Sequence, residues 1–182
     1  MRLYAYIVIL VGLTVWFYPF VKAHNRTAPA RVVDRRSRWG MLLQFAGFTL
    51  LWQGHFWARA LPAWHVAVSV ICFVFAVILS WSSSRALAGQ LRIDAALGAE
   101  HKLIQSGPYA LVRNPIYTSM LLVLCAMGII VSGWKLFVPA LVLFVAGTEI
   151  RVRTEEALLS AHFGEEFQNY KRRVSAYIPF LG

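Results

Sequence analysis

"WHVAVSVICFVFAVILSWS", residues 64–82, runs without one charged side chain. At roughly 1.5 Å of rise per residue it would extend about 28 Å, close to the hydrocarbon thickness of a bilayer. Two uncharged stretches of the same length, Leu3–Val21 and Trp39–Trp57, precede it, and two shorter ones, Ile116–Val131 and Leu136–Thr148, follow. Only Ser132-Gly133-Trp134-Lys135 joins the last two, which suits a helical hairpin with antiparallel neighbours. The reading is an all-α, polytopic membrane protein with about five transmembrane helices.

Composition agrees. Of 182 residues, 59% are hydrophobic and 14% charged, against about 25% charged in a soluble domain. Val21-Lys22-Ala23 has the look of a signal-peptidase site. The run before it is nevertheless long for a signal sequence, contains Trp16 and Pro19, and lacks a basic leader, so it is read as retained. All of the 18 Lys and Arg except Arg2, Arg59 and Lys135 fall in the first loop, the 83–115 loop and the tail. By the positive-inside rule these segments are cytoplasmic and the N-terminus lies outside. The net charge of +10 then reflects topology and attraction to anionic membrane lipids. No nucleic-acid-binding motif accompanies it. Cys72 and Cys125 lie inside apolar runs, which suggests neither a disulfide framework nor a metal site.

The chain shows no internal repeat and reads as one domain over 1–182. Gly89, Gly98 and Gly107-Pro108 break the 83–115 loop into short pieces. In the tail, Ile150, Leu158, Ala161, Phe167 and Tyr170 recur at near-helical spacing, with a break at Gly164. The fifth membrane helix is expected to continue directly into this charged helix. The closing "YIPFLG" reads as an extended end returning to the bilayer surface.

Chemistry-bearing residues cluster in two places. Arg151 and Glu155 are four apart and share a helix face, as do Glu149 and Arg153. Arg151 and Arg153 point roughly 200° apart, so only one pair can face a pocket. The plain alternative is solvated surface pairs. Upstream, Pro115 suits the first turn of the fourth helix and Asn114 its N-cap. The free N–H groups there could cradle a carboxylate. Tyr109 and Tyr117 offer stacking surfaces and Arg113 a fixed cation; an interfacial anchoring belt would use the same residue types. His55, Gln44 and Gln53 suit hydrogen bonding within the helix bundle. No G-x-G-x-x-G, P-loop, H-E-x-x-H or G-x-S-x-G occurs.

"HKLIQSGPYALVRNPIY", residues 101–117, and "RVRTEEALLSAHFGEEFQNYKRRVSAYIPF", residues 151–180, with a hydrophobic hairpin between them, resemble the isoprenylcysteine carboxyl methyltransferase family, which groups with phospholipid N-methyltransferases. The resemblance covers about residues 101–180 and leaves 1–100 as variable membrane helices. It implies S-adenosylmethionine as cofactor, held by His101, Lys102, Leu103, Ile104, Gly107, Tyr109, Arg113, Asn114, Pro115, Tyr117 and Glu155. The cytoplasmic C-terminal helix would close that cofactor site. Arg151 is implied as the substrate-facing arginine and, with Glu155 and Asn114, as part of the catalytic set. Asn114 stands where the family carries His, so proton transfer there is not implied. The acceptor would be a lipophilic, lipidated or small molecule, such as a prenylcysteine-like carboxylate, entering laterally between helices. Two alternatives remain open on sequence. One is an NADPH-dependent sterol-type reductase, although its Asn-before-Tyr and Gly-Glu signals are missing. The other is a non-catalytic lipid-binding scaffold.

Overall fold

The computed structural model describes residues 3–24, 32–33, 36–54, 61–87, 96–97 and 103–178. Among these, the α-helices are α1 (Leu3–His24), α2 (Ser37–Leu51), α3 (Ala63–Leu87), α4 (Pro115–Val131), α5 (Trp134–Phe163) and α6 (Glu165–Arg173). A short 3-10 helix, Gly107–Ala110, precedes α4, and two-residue segments Val32–Val33 and Ala96–Leu97 pair antiparallel. The architecture is otherwise helical, as the hydrophobic runs implied.

α1, over Leu3–Lys22, and α3, over Ala63–Leu87, are each long and apolar enough to cross a bilayer. α4 is apolar but has only 17 residues. α2 ends at Leu51 although the uncharged run continues to Trp57. The Trp52 and Gln53 amides donate to Thr49 and Leu50, tightening the last turn ahead of Gly54. His55 lies outside the described residues. Phe45, Leu10 and Val142 are 71%, 68% and 61% exposed, a surface that suits lipid rather than water.

The packing partners are not those that chain proximity suggests. α5 packs chiefly on α2, and α4 chiefly on α3, so the α4–α5 hairpin is not a pair of close neighbours along its length. Small residues explain the choice. A β-carbon on Gly40 would meet Gly147 O at 2.5 Å, and one on Gly147 would meet Gly40 O at 2.5 Å, so these backbones touch. On α3, the Ser69 hydroxyl donates to Ala126 O of α4 at 2.9 Å. Leu51, Val123, Leu124, Ile130, Ala140 and Phe144 fill the core between these helices.

α1 joins α3 through a backbone defect. Pro19 has no N–H, which frees the Val15 carbonyl of its helical partner. The Trp81 indole of α3 donates to that carbonyl at 2.9 Å, and Ser80 donates to Trp16 O at 2.9 Å. In apolar surroundings such satisfaction is obligatory.

Two local expectations are met in detail. α5 runs from its apolar stretch into the charged tail without interruption, and Gly164, at φ 52°, separates it from α6.

Candidate active site

The site begins with the turn before α4. Gly107 adopts φ 63°, a left-handed conformation glycine takes without penalty. The chain then passes through the 3-10 helix to Pro115, whose missing N–H costs nothing at the first helical position. Leu103 and Ile104 are half-buried just upstream. His101 and Lys102 lie outside the described residues.

Tyr117, one turn into α4, meets α5 at Arg151 and Glu155. Its hydroxyl donates to Glu155 Oε1 and accepts from Arg151 Nε at 2.8 Å. The terminal guanidinium nitrogen of Arg151 is 3.7 Å from the same carboxylate oxygen. The guanidinium also sits 5.3 Å from the Tyr117 ring centroid. Arg151 is 7% exposed, with its stem against Gly40 of α2. Arg153, by contrast, has a side chain 79% exposed and pairs with Glu149 at 2.7 Å. Of the two faces, Arg151 turns inward.

Glu155 has a divided role. Its Oε1 serves Tyr117 and Arg151, while Oε2 accepts no hydrogen bond among the described residues. Burial pushes its pKa above the ordinary carboxylate value, and the Tyr117 hydroxyl and Arg151 oppose that push. The side chain keeps 30% exposure, so the carboxyl is crowded by protein yet accessible from one side. Tyr109 also lies near it. Burial first, and then the Glu155 charge, hold the Tyr109 hydroxyl protonated well beyond the usual phenol range.

Arg113 and Asn114 do something else. Arg113 grips Glu156 through Nε at 3.0 Å and a terminal nitrogen at 2.9 Å, and donates to the carbonyls of Lys171 and Val174. Lys171 holds the other Glu156 oxygen at 2.6 Å. The segment 174–177 then runs along the entrance to α4. Ser175 O accepts from the Arg113 amide at 2.8 Å, and Ala176 O from the Asn114 amide at 3.1 Å. The Asn114 side chain donates to the same Ala176 carbonyl at 3.2 Å and makes no N-cap bond to α4, unlike the expectation from sequence. Asn114 is a tether for the returning tail. Tyr177 completes the strap by donating to Glu149 at 3.0 Å, and Tyr170 donates to Tyr109 O at 2.6 Å.

Sequence reasoning missed Glu156 and the strap. Glu156 was visible only as one half of an acidic doublet. The return of residues 174–177 to 112–114 leaves no local pattern.

These residues form an ion-paired carboxylate and guanidinium, held by a tyrosine, where a helix leaves the apolar bundle. Fold and site together define a helical, membrane-associated protein with a cluster of polar and charged side chains at the edge of the bundle. The phospholipid methyltransferase family matches residues 64–166, more than half of the chain, and the protein belongs to that family. The match takes in α3, which the sequence reading had left among the variable helices. The likeness to isoprenylcysteine carboxyl methyltransferases recurs among individual relatives. The protein-S-isoprenylcysteine O-methyltransferase of Schizosaccharomyces pombe is 29% identical over 83 residues, 45% of this chain and 35% of that one. The methanethiol S-methyltransferase of Crocosphaera subtropica is 31% identical over 74 residues, 41% and 28% respectively. The cobalt-zinc-cadmium resistance protein CzcN of Cupriavidus metallidurans is 33% identical over 79 residues, 43% and 36%. The matched segment thus spans only about a third of these three relatives or less, at 35%, 28% and 36%.

Proposed function

We propose that the protein is an integral-membrane methyltransferase that uses S-adenosylmethionine and methylates a small or lipophilic acceptor. The observation that carries this reading is the Tyr117 hydroxyl placed between Arg151 and Glu155, with Glu155 Oε2 left open. When bound, the cofactor supplies an electrophilic methyl group on a sulfonium. Its chemistry suits the residues present. Glu155 offers an acceptor for ribose hydroxyls and a negative charge near the sulfonium. Tyr109 and Tyr117 offer flat faces for the adenine. Leu103, Ile104 and Gly107 line the approach, with His101 and Lys102 preceding them in the chain.

Arg151 is the residue that orients the acceptor. A guanidinium at 7% exposure pairs strongly with a carboxylate or thiolate, because little water competes. Its bond to Tyr117 fixes the distance between the acceptor and cofactor halves. Methyl transfer to an anion needs alignment and dryness more than a proton acceptor, so Asn114 in place of histidine is compatible with turnover. Arg113, Asn114, Glu156 and the strap act as scaffolding that holds α6 and the tail across the pocket. In this reading α2, α4 and the first part of α5 cross the membrane with α1 and α3. The pocket opens to the cytoplasm, and a lipophilic acceptor enters from the bilayer.

Calorimetric titration of detergent-purified protein with S-adenosylhomocysteine, with NADPH in parallel, tests the cofactor. Saturable binding of S-adenosylhomocysteine alone supports the reading; binding of NADPH alone replaces it with a reductase, and binding of neither with a scaffold. Radiolabelled methyl transfer to methanethiol, N-acetyl-S-farnesylcysteine and phosphatidylethanolamine then identifies the acceptor class.

A further inference from the structure

The far ends of α1 and α3 carry residues that the pocket does not use. The two helices run parallel: Gly12 lies against Phe73, Trp16 against Ser80 and Pro19 against Ser84. Tyr18 and Trp81 stack across the seam with centroids 5.7 Å apart and planes 19° apart. The Trp81 indole is fixed by its bond to the Val15 carbonyl that Pro19 liberates. One turn further, Lys22 follows Tyr18 and Arg85 follows Trp81 on the same helix faces. The Arg85 guanidinium stands 5.8 Å from the Trp81 ring centroid. Both cations are exposed, and neither forms an ion pair among the described residues.

In the other direction the stripes are apolar. Val11, Val15, Val74 and Ile78 continue them at 53%, 40%, 50% and 56% exposure. Two cations therefore cap an apolar seam at the point where two bilayer-length helices end, with an amphipathic ring pair at headgroup level. A free anion would use the cations and ignore the seam. A phosphatidylcholine would bring an ammonium toward them. An anionic phospholipid satisfies both parts.

We infer that the Lys22–Arg85 end of the α1–α3 seam binds one anionic phospholipid, its phosphate on the two cations and an acyl chain along Val11, Val15, Val74 and Ile78. The site is separate from the Tyr117–Arg151–Glu155 pocket. It rests on the membrane reading of α1 and α3, not on methyl transfer.

The test is thermal unfolding of the full protein in dodecylmaltoside with added dioleoylphosphatidylglycerol, dioleoylphosphatidylcholine or inorganic phosphate. Phosphatidylglycerol is expected to raise Tm saturably by about 5 °C or more at saturation. The other two should leave it unchanged. Lys22→Gln and Arg85→Gln should each weaken the apparent affinity roughly fivefold, and the double variant roughly thirtyfold. Because both side chains are exposed, the lipid-free Tm and the affinity for S-adenosylhomocysteine should not move; if the double variant fails to fold, the single variants carry the test. An equal shift with phosphatidylcholine, or an undiminished phosphatidylglycerol response in the variants, overturns the proposal. A shift with phosphate alone replaces the lipid by a small-anion site. Release of the protein from membranes by alkaline carbonate would refute the membrane reading beneath it, which S-adenosylhomocysteine binding does not address.

Discussion

Glu155→Gln is the substitution that most directly probes the pocket. It keeps the shape of the side chain and an oxygen able to accept from Tyr117, while removing the charge. In the wild type Oε1 is occupied by Tyr117 and by Arg151 at 3.7 Å, so the cofactor would engage Oε2. A hydrogen bond to a charged group contributes about 1.5–3 kcal/mol, against about 1 kcal/mol for a neutral one. The difference, about 0.5–2 kcal/mol, predicts a Kd for S-adenosylhomocysteine raised roughly twofold to thirtyfold. Calorimetry reads this directly, and circular dichroism shows whether the fold is kept. Glu156→Gln is the matched control one residue along. Its carboxylate is already spent on Arg113 at 2.9 Å and Lys171 at 2.6 Å. It should alter stability and leave Kd within about twofold, a factor worth about 0.4 kcal/mol. A folded Glu155→Gln protein with unchanged Kd, or the larger loss in Glu156→Gln, would refute the assignment of the doublet.

Arg151→Ala should leave S-adenosylhomocysteine binding nearly intact and abolish methyl transfer, while Arg153→Ala, whose side chain is 79% exposed, should do neither; the reverse in a radiolabel assay would mean that the wrong face was chosen. Cofactor binding through the Glu155 carboxylate should be lost as pH falls, with a midpoint above the ordinary value of about 4.3, because burial raises this pKa. The sign for stability is opposite: the fold favours the protonated acid, so Glu155's own contribution declines as pH rises through that midpoint, and Glu155→Gln should flatten both profiles. Gly147→Ala places a methyl 2.5 Å from Gly40 O, and should lower stability by about 1–3 kcal/mol in a thermal melt. Arg113→Gln breaks a pair whose side chains are 11% and 13% exposed and should cost about 3 kcal/mol. Adding Glu156→Gln should cost less than the sum of the two singles, as a double-mutant cycle would show.

The helices were legible because their physics is local. Uncharged runs gave α1, α3 and α4, and Gly164 marked the end of α5. The inward turn of Arg151 followed from four-residue spacing and a family resemblance together. The misread features depend on contacts distant in sequence. α2 stops at Leu51 because the Gln53-Gly54 pair lets the last turn close, although every residue to Trp57 is uncharged. The pairing of α5 with α2 rests on Gly40 against Gly147, more than a hundred residues apart. No window of sequence carries that contact. Asn114 had the right type for an N-cap, but its Nδ2 donates to the strap carbonyl of Ala176 and its side chain makes no capping bond to α4. A short polar side chain bonds whichever partner the fold brings near.

The adjacent glutamates show how the pocket is assembled. Successive helical residues point about 100° apart, so Glu155 and Glu156 cannot serve the same partners. Glu156 takes the two cations that belong to the scaffold, Arg113 and Lys171, and thereby fixes α6 and the strap. Those contacts leave Glu155 with only Tyr117 and Arg151 among the described residues, and with one oxygen open. Had Arg113 turned toward Glu155, its charge would have held that carboxylate in a closed ion pair. The brace therefore does more than attach the tail. By engaging Arg113 and Lys171, Glu156 keeps those two cations on the scaffold and leaves Glu155 to face Tyr117 and Arg151.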